Sequence, residues 1–194
     1  MIKKLAACIR DAKLTAILTP ILVVCETVLE VLIPLTMADL IDRGITVGDM
    51  NEVVRYGVTL LVLTAAALFF GAAAGYTASR ASSLFARNVR QDMYYNVQHF
   101  SFANIDKFSP ASLVTRLTTD VTNVQMAFQM ITRITFRAPA MLIFAFVFSF
   151  KINAQLASIF IAVIPFLAII LIIIVKAAFP RFERVFKTYD HLNN

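Results

Sequence analysis

Two long apolar stretches without a charged residue constrain this chain more than any other feature. They are residues 56–79 and residues 152–175, and each is flanked on both sides by Arg or Lys. As a helix rising about 1.5 Å per residue, each is about 36 Å long, enough to cross a hydrocarbon core of about 30 Å. The chain is also 59% hydrophobic and only 15% charged. An ordinary soluble domain is therefore excluded, and an integral membrane protein is predicted.

Two further spans are predicted from stretches that contain a few charges. Residues 14–38 are apolar except for Glu26 and Glu30, and residues 134–150 carry Arg137 near one end, where a long cationic side chain can snorkel. The prediction is an all-α membrane protein with four transmembrane helices. The four spans are residues 14–38, 56–79, 134–150 and 152–175, with a first intracellular loop at about 80–133.

The distribution of charge predicts the orientation. Basic residues dominate the amino-terminal segment, the stretch 80–137 and the tail, whereas the loop 39–55 holds more acidic than basic residues. By the positive-inside rule both ends are expected in the cytoplasm, with the turns at 39–55 and 150–154 outside. This bias accounts for the net charge of +6. We therefore expect no nucleic-acid partner.

The segment after the second span is predicted to continue as a helix far into the cytoplasm and to return as a second helix, and we call these two cytoplasmic extensions the stalk. Apolar residues recur at helical spacing along two successive stretches. The second stretch begins at Ser109-Pro110, which is typical of a helix start with Ser as N-cap and Pro at the first helical position. The members of the two faces are Leu84, Phe85, Val89, Met93, Val97 and Phe100, then Leu113, Leu117, Val121, Val124 and Phe128. Residues 101–109 would form a short transverse segment at the tip. The alternative is a solvated hairpin that only stabilises the bundle.

Glu26 and Glu30 are the most informative single residues, because they share one helix face inside a predicted span. They are candidates for a polar patch on a substrate pathway that attracts cations. The alternative is a structural pair satisfied by basic or polar groups on neighbouring helices. Phe136 and Phe144 are aromatic candidates for the same pathway, although such side chains also face lipid or pack between helices.

Other residues have mainly structural interpretations. Gly71 and Gly75 predict close helix packing. Arg116 and Asp120 share a stalk face and are expected to pair there, with gating as a further possibility. Four prolines are predicted to kink or end helices, namely Pro20, Pro34, Pro139 and Pro165. No metal site is expected, and no nucleophile–base set suggests catalysis.

Residues 106–121, DKFSPASLVTRLTTDV, resemble the transmembrane domain of bacterial ABC exporters, particularly multidrug half-transporters. Ile33-Pro34, residues 40–42 and Gly44 are also similar to the end of the first span and first external loop of that family. The resemblance implies the type-1 exporter fold, truncated, with the chain as its amino-terminal portion. It also implies a coupling helix that transmits motion driven by nucleotide. That helix would be formed by Asn104, Ile105, Asp106, Lys107, Phe108 and Ser109.

The same resemblance implies partners and cofactors outside this sequence. They are a second half-transporter, in a homo- or heterodimer, and nucleotide-binding domains that use ATP and Mg²⁺. This sequence carries no GxxxxGK[ST] phosphate loop. The expected activity is export of small amphipathic molecules such as drugs across the plasma membrane. Alternatives are a lipid or peptide exporter, or a four-span scaffold or sensor without an ATPase.

Overall fold

The computed structural model describes residue 5, residues 7–100 and residues 110–192, and within these the secondary structure is entirely helical. A 3-10 turn at Arg10–Ala12 leads into the first long helix, and π-helical segments lie at Leu40–Ile45 and Arg116–Asp120. The α-helices are α1 (Lys13–Asp39), α2 (Met50–Gln98), α3 (Pro110–Thr115), α4 (Val121–Ile152) and α5 (Ala154–Leu192). Within the described residues, four helical stretches are long and apolar enough to cross a membrane, as predicted.

The connection between α1 and α2 is much shorter than the predicted loop 39–55. Helical backbone continues to Ile45, and α2 begins at Met50. Asp49 caps α2, because its Oδ1 accepts hydrogen bonds from the backbone N–H groups of Asn51 at 2.9 Å and Glu52 at 3.4 Å. Gly48 makes the turn with a φ of 76°, a conformation that suits glycine. The residues predicted as a loop are therefore largely helical, and a short turn joins the two helices.

None of the four prolines ends a helix. Pro20 and Pro34 lie inside α1, Pro139 inside α4 and Pro165 inside α5. A proline in a membrane-spanning helix is tolerated when neighbouring groups and local adjustments satisfy the carbonyl that it leaves without a donor. The expectation that these prolines end helices is therefore wrong, whereas kinking stays a prediction.

Small residues let α1 and α2 pack closely along their length. Ala74, Ala78 and Ala81 of α2 are fully buried, and the hydroxyl of Thr19 on α1 donates to the Thr77 hydroxyl at 3.0 Å. Small side chains allow the two backbones to approach, which increases the van der Waals contact that drives helix association in membranes. The close packing predicted from Gly71 and its neighbours is confirmed.

The end of α2 that was predicted to be a stalk carries its own apolar cluster. Its buried members are Cys8, Phe85, Ala86, Val89 and Val121, with Ile9, Met93, Val124 and Phe128 packed against them. The rings of Phe85 and Phe128 stack with centroids 4.5 Å apart. This cluster joins the amino-terminal segment, α2 and α4. The predicted apolar faces of the two stalk helices therefore meet each other.

The chain divides into two compact units, residues 1–144 and residues 145–194. The second contains the end of α4 and all of α5, with the helical break at Asn153. The turn predicted at 150–154 is therefore present. The span predicted at 152–175 begins two residues early, because Ile152 still belongs to α4 and α5 begins at Ala154.

Candidate functional site

A partly buried charge cluster joins α1 to α4 within the first unit. The guanidinium of Arg137 donates from Nη1 to Glu26 Oε1 at 3.1 Å. Its Nη2 donates to both carboxylate oxygens of Glu30, at 2.6 and 2.9 Å. We call Glu26, Glu30 and Arg137 the charge triad. In it, ionisable groups on two membrane-length helices meet.

Helix geometry and a missing side chain create the space for the triad. Glu26 and Glu30 are one turn apart on α1, so both carboxylates reach the same guanidinium. Gly71 of α2 lies directly against Glu26, because a Cβ at that position would be 2.7 Å from Glu26 Oε1. Real Cβ atoms do not approach an oxygen so closely. Glycine at position 71 therefore leaves room for the Glu26 carboxylate as well as for the neighbouring helix.

The triad is unequal in both charge and burial. Two carboxylates share one guanidinium, and the side chains of Glu26, Glu30 and Arg137 are 10%, 29% and 37% exposed respectively. Within the described residues, Glu26 Oε2 is buried and has no hydrogen-bond partner. A buried charge is stable only when it is paired and hydrogen-bonded, so Glu26 depends on Arg137 more than Glu30 does.

These contacts bear on the two interpretations of Glu26 and Glu30. The sequence left two interpretations open, a cation-attracting patch and a pair satisfied by a neighbouring helix. The second interpretation requires a basic partner, and Arg137 provides it. The sequence also suggested that Arg137 snorkels toward the end of its span, whereas its guanidinium is in contact with both carboxylates of α1. The pathway role of the glutamates stays a prediction.

A second polar cluster fixes the amino-terminal segment to the long extension of α2. Arg10 donates to both oxygens of Asp92 at 3.1 Å, and Arg87 donates to Asp11 at 2.9 Å. The Cys8 thiol donates to Asp92 at 3.4 Å. Burial, followed by the hydrogen bond to Asp92 and its negative charge, raises the pKa of Cys8, and Arg10 opposes this shift. The thiol therefore stays protonated near neutral pH.

The remaining predicted site residues are dispersed. Phe136 is 47% exposed and Phe144 is partly buried. Neither ring stacks on another aromatic ring among the described residues. Asp120 lies in the π-helical segment Arg116–Asp120, and its pairing with Arg116 stays a prediction. The whole predicted coupling helix, residues 104–109, lies outside the described residues. In the described part of the chain, no group of three or more His, Cys, Asp or Glu side chains could hold a metal ion.

Two contributions to these clusters were missed from the sequence. Arg137 was not predicted to pair with Glu26, because the two residues are 111 positions apart and nothing local connects them. A signal existed, since a cation in one span and acidic residues in another favour mutual pairing in a medium without water. Asp92 was missed because a single acidic residue on a solvated stalk has no pattern that distinguishes it.

The described residues thus form a helical membrane domain, with four membrane-length helices, a packed extension of α2 and a charge triad between α1 and α4. The chain belongs to the family of the ABC transporter transmembrane region, whose model matches residues 16–194. It is thus a multi-pass membrane protein, and the resemblance seen in the sequence is confirmed.

Curated relatives agree with this family. The chain is 30% identical to the uncharacterized ABC transporter ATP-binding protein YfiB of Bacillus subtilis, over 98% of this chain and 33% of that protein. It is 27% identical to an uncharacterized ABC transporter ATP-binding protein of Mycobacterium tuberculosis, over 87% of this chain and 29% of the relative. It is 26% identical to the ATP-dependent lipid A-core flippase of Pseudoalteromonas translucida, over 78% of this chain and 26% of the flippase. The chain spans a third or less of the length of these relatives.

Proposed function

We propose that this chain is the amino-terminal part of an ATP-driven exporter that moves small amphipathic molecules across the plasma membrane. In this proposal both ends of the chain are cytoplasmic, and the helices form part of a translocation pathway. A second half-transporter completes that pathway. Nucleotide-binding domains, which use ATP and Mg²⁺, supply the motion. The names of the relatives support the association with an ATP-binding domain.

The length of α2 is the observation that carries the proposal. Its 49 residues make a helix of about 74 Å, which exceeds the membrane core of about 30 Å by more than 40 Å. The surplus is packed against the amino-terminal segment and α4 through the cluster around Phe85. A packed helical extension moves as a body, so it can carry displacement from a motor at its tip to the membrane.

Three assignments complete the mechanism. Residues 104–109, the predicted coupling helix, would contact the nucleotide-binding domain. The charge triad would hold α1 to α4 so that both move together, and we favour this positioning role over direct attraction of cations because Arg137 already occupies both carboxylates. Phe136 and Phe144 remain candidates for contact with an apolar substrate.

The direct experiment is transport by the full-length protein in proteoliposomes. We expect a fluorescent amphipathic dye to accumulate only when ATP is hydrolysed. Replacing Ile105 or Phe108 with Glu should leave ATP hydrolysis measurable while transport falls, because a charge at the apolar docking surface breaks the coupling. The matched control is Val114→Glu, since Val114 is 59% exposed and lies beyond the proposed contact. Dye movement that is independent of ATP would reject the proposal.

The name of one relative favours a second candidate. Because the Pseudoalteromonas protein is called a lipid A-core flippase, export of a lipid is the main alternative substrate. A four-span scaffold or sensor without an ATPase is a different alternative. Measuring ATP hydrolysis by the full-length protein separates the scaffold from both transporters, and the choice of transported probe separates drug from lipid.

A further inference from the structure

Arg133 is a cationic side chain without a described counter-ion. It lies on α4 one helical turn before Arg137 and is partly buried. Within the described residues its guanidinium makes neither a hydrogen bond nor an ion pair. Gly75 of α2 faces this side chain, because a Cβ added there would lie 3.9 Å from Arg133 Nη1. Burying part of a cation without a partner is costly, so an unpaired arginine here calls for an explanation.

Arg133 lines a cavity that is suited to an amphipathic molecule. The cavity has a volume of about 460 Å³, within the range of about 300–1,000 Å³ that is typical of small-molecule sites. Its lining residues follow one face of α4 and comprise Met126, Gln129, Met130, Arg133, Ile134 and Arg137. That lining combines two arginines and an amide with three apolar side chains, and it contains no acidic residue.

The charge triad explains why this cavity favours an anion. Arg137 engages both Glu26 and Glu30, and neither carboxylate is among the residues that line the cavity. Arg133 has no carboxylate partner among the described residues. The earlier expectation of a cationic substrate depended on glutamates facing a pathway without a partner, and that condition is not met among the described contacts.

We propose that this cavity binds the anionic group of an amphipathic molecule, with Arg133 as its principal contact. The anion is a phosphate or another oxyanion, because a guanidinium pairs with two oxygens of such a group at once. This inference rests on the proposed function, for which it specifies the class of substrate.

The other lining residues would contact the anionic group and the hydrocarbon part of the ligand. Gln129 Oε1 accepts a hydrogen bond from Ser82 at 3.5 Å, which leaves the Gln129 amide N–H groups as donors for the oxyanion. Met126, Met130 and Ile134 supply an apolar surface for the hydrocarbon part. Methionine is flexible and polarizable, so this surface adapts to chains of different shape.

The test compares probes with the same hydrocarbon chain and opposite head groups. Purified full-length protein in a neutral maltoside detergent is incubated with radiolabelled dodecyl phosphate and no ATP. Unlabelled dodecyl phosphate, dodecyltrimethylammonium and inorganic phosphate then compete for the site. We expect dodecyl phosphate to compete best. Equal or better competition by the ammonium compound would overturn the proposal. Competition by inorganic phosphate as strong as that by dodecyl phosphate would show a site for a free anion and would also overturn it.

Variants of the arginine test whether its charge makes the contact. Arg133→Gln should weaken dodecyl phosphate binding about tenfold, since a hydrogen bond to a charged group is lost. Arg133→Lys keeps the charge but loses the two-oxygen pairing, so its loss should be smaller than that of Arg133→Gln. The matched control is Arg80→Gln, an exposed arginine on α2, which should bind as the parent protein does. Unchanged affinity in Arg133→Gln, or an equal loss in Arg133→Lys, would refute the assignment.

The binding assay is independent of the transport assay. If the protein binds dodecyl phosphate through Arg133 but moves no substrate with ATP, the proposed site stands and the proposed exporter function is refuted. A protein that transports with ATP but shows no preference for the anionic probe would keep the exporter function and lose the site. Elution of each variant at the parental volume in size-exclusion chromatography ensures that lost binding is not lost folding.

Discussion

Replacement of Arg137 by Met should destabilise the membrane domain more than the loss of an exposed ion pair would. Methionine has a similar length and no charge, so the change removes the cation and leaves both glutamates in place. The Glu26 side chain is only 10% exposed and would lose its hydrogen bond and ion pair with Arg137. Glu30 is 29% exposed and loses its two contacts at 2.6 and 2.9 Å, although water can partly replace them.

The magnitude follows from the burial of the three groups. Breaking a fully buried ion pair by removing one partner costs about 3–5 kcal/mol. Since Arg137 is 37% exposed, solvent screens part of the interaction, and we expect a loss of about 2–3 kcal/mol in the free energy of unfolding. The measurement is reversible unfolding of the full-length protein in mixed micelles of sodium dodecyl sulfate and dodecyl maltoside. The control is Arg55→Gln, which breaks the exposed pair with Glu52 and should cost less than about 1 kcal/mol.

Neutralising all three residues of the triad distinguishes the effect of the lost ion pairs from a change in packing caused by Arg137→Met. The triple variant Glu26→Gln, Glu30→Gln, Arg137→Met carries no uncompensated charge, so it should regain most of the stability that Arg137→Met loses. A loss below about 1 kcal/mol in Arg137→Met would refute the reasoning. A triple variant as unstable as the single one would do the same, because packing and not charge would then be responsible.

Three further predictions concern separate parts of the fold. Gly71→Ala should cost about 1–3 kcal/mol of unfolding free energy, because its Cβ would meet Glu26 Oε1 at 2.7 Å and the ion pair with Arg137 holds that carboxylate in place. Gly57→Ala, with open space around it, should be neutral or stabilising in the same micelle assay. Phe85→Ala should cost about 3–5 kcal/mol because it empties the centre of the stalk cluster, and the 69% exposed Phe69 provides a control whose replacement by Ala should cost far less. The rate at which Cys8 reacts with N-ethylmaleimide, followed by mass spectrometry, should rise with pH around a midpoint above the ordinary thiol pKa of about 8.5. A midpoint at or below that value would contradict the effect of burial and of the Asp92 contact on the Cys8 pKa.

The sign of the pH effect on folding follows from the direction of the Cys8 shift. Its pKa is raised in the folded protein because the protonated thiol is favoured by burial and by Asp92. The stabilisation is therefore fully present below the pKa of the unfolded thiol, and it is lost as the pH rises through the raised pKa. Attachment of the amino-terminal segment to α2 should weaken under alkaline conditions and not under mildly acidic ones.

The helices and the stalk faces were predictable because their causes are local. The apolar run 56–79 specifies a span by length alone, and the spacing of Phe85 and Val89 specifies which side of α2 is buried. The extent of the first connection was not predictable in the same way. Charged residues suggested a loop over 39–55, whereas the cap at Asp49 and the close approach of Gly44 to Val53 keep that connection short.

The triad was only half predictable, because its two sides are far apart in sequence. The spacing of Glu26 and Glu30 placed both on one helix face, and their depth in a span indicated a partner or a cavity. The identity of that partner depends on how α4 packs beside α1, which no local pattern of residues around Arg137 encodes. For the same reason, no local pattern shows that Arg133 lacks a counter-ion among the described residues.

Transport by the variant Glu26→Gln, Glu30→Gln tests most directly whether the triad positions helices or attracts substrates. Full-length protein in proteoliposomes is supplied with ATP and with a cationic or a neutral dye in parallel. Because Arg137 already pairs with both carboxylates, we predict that export of the two dyes falls by the same factor. A loss confined to the cationic dye would contradict the positioning role and restore the glutamates as a cation-binding surface.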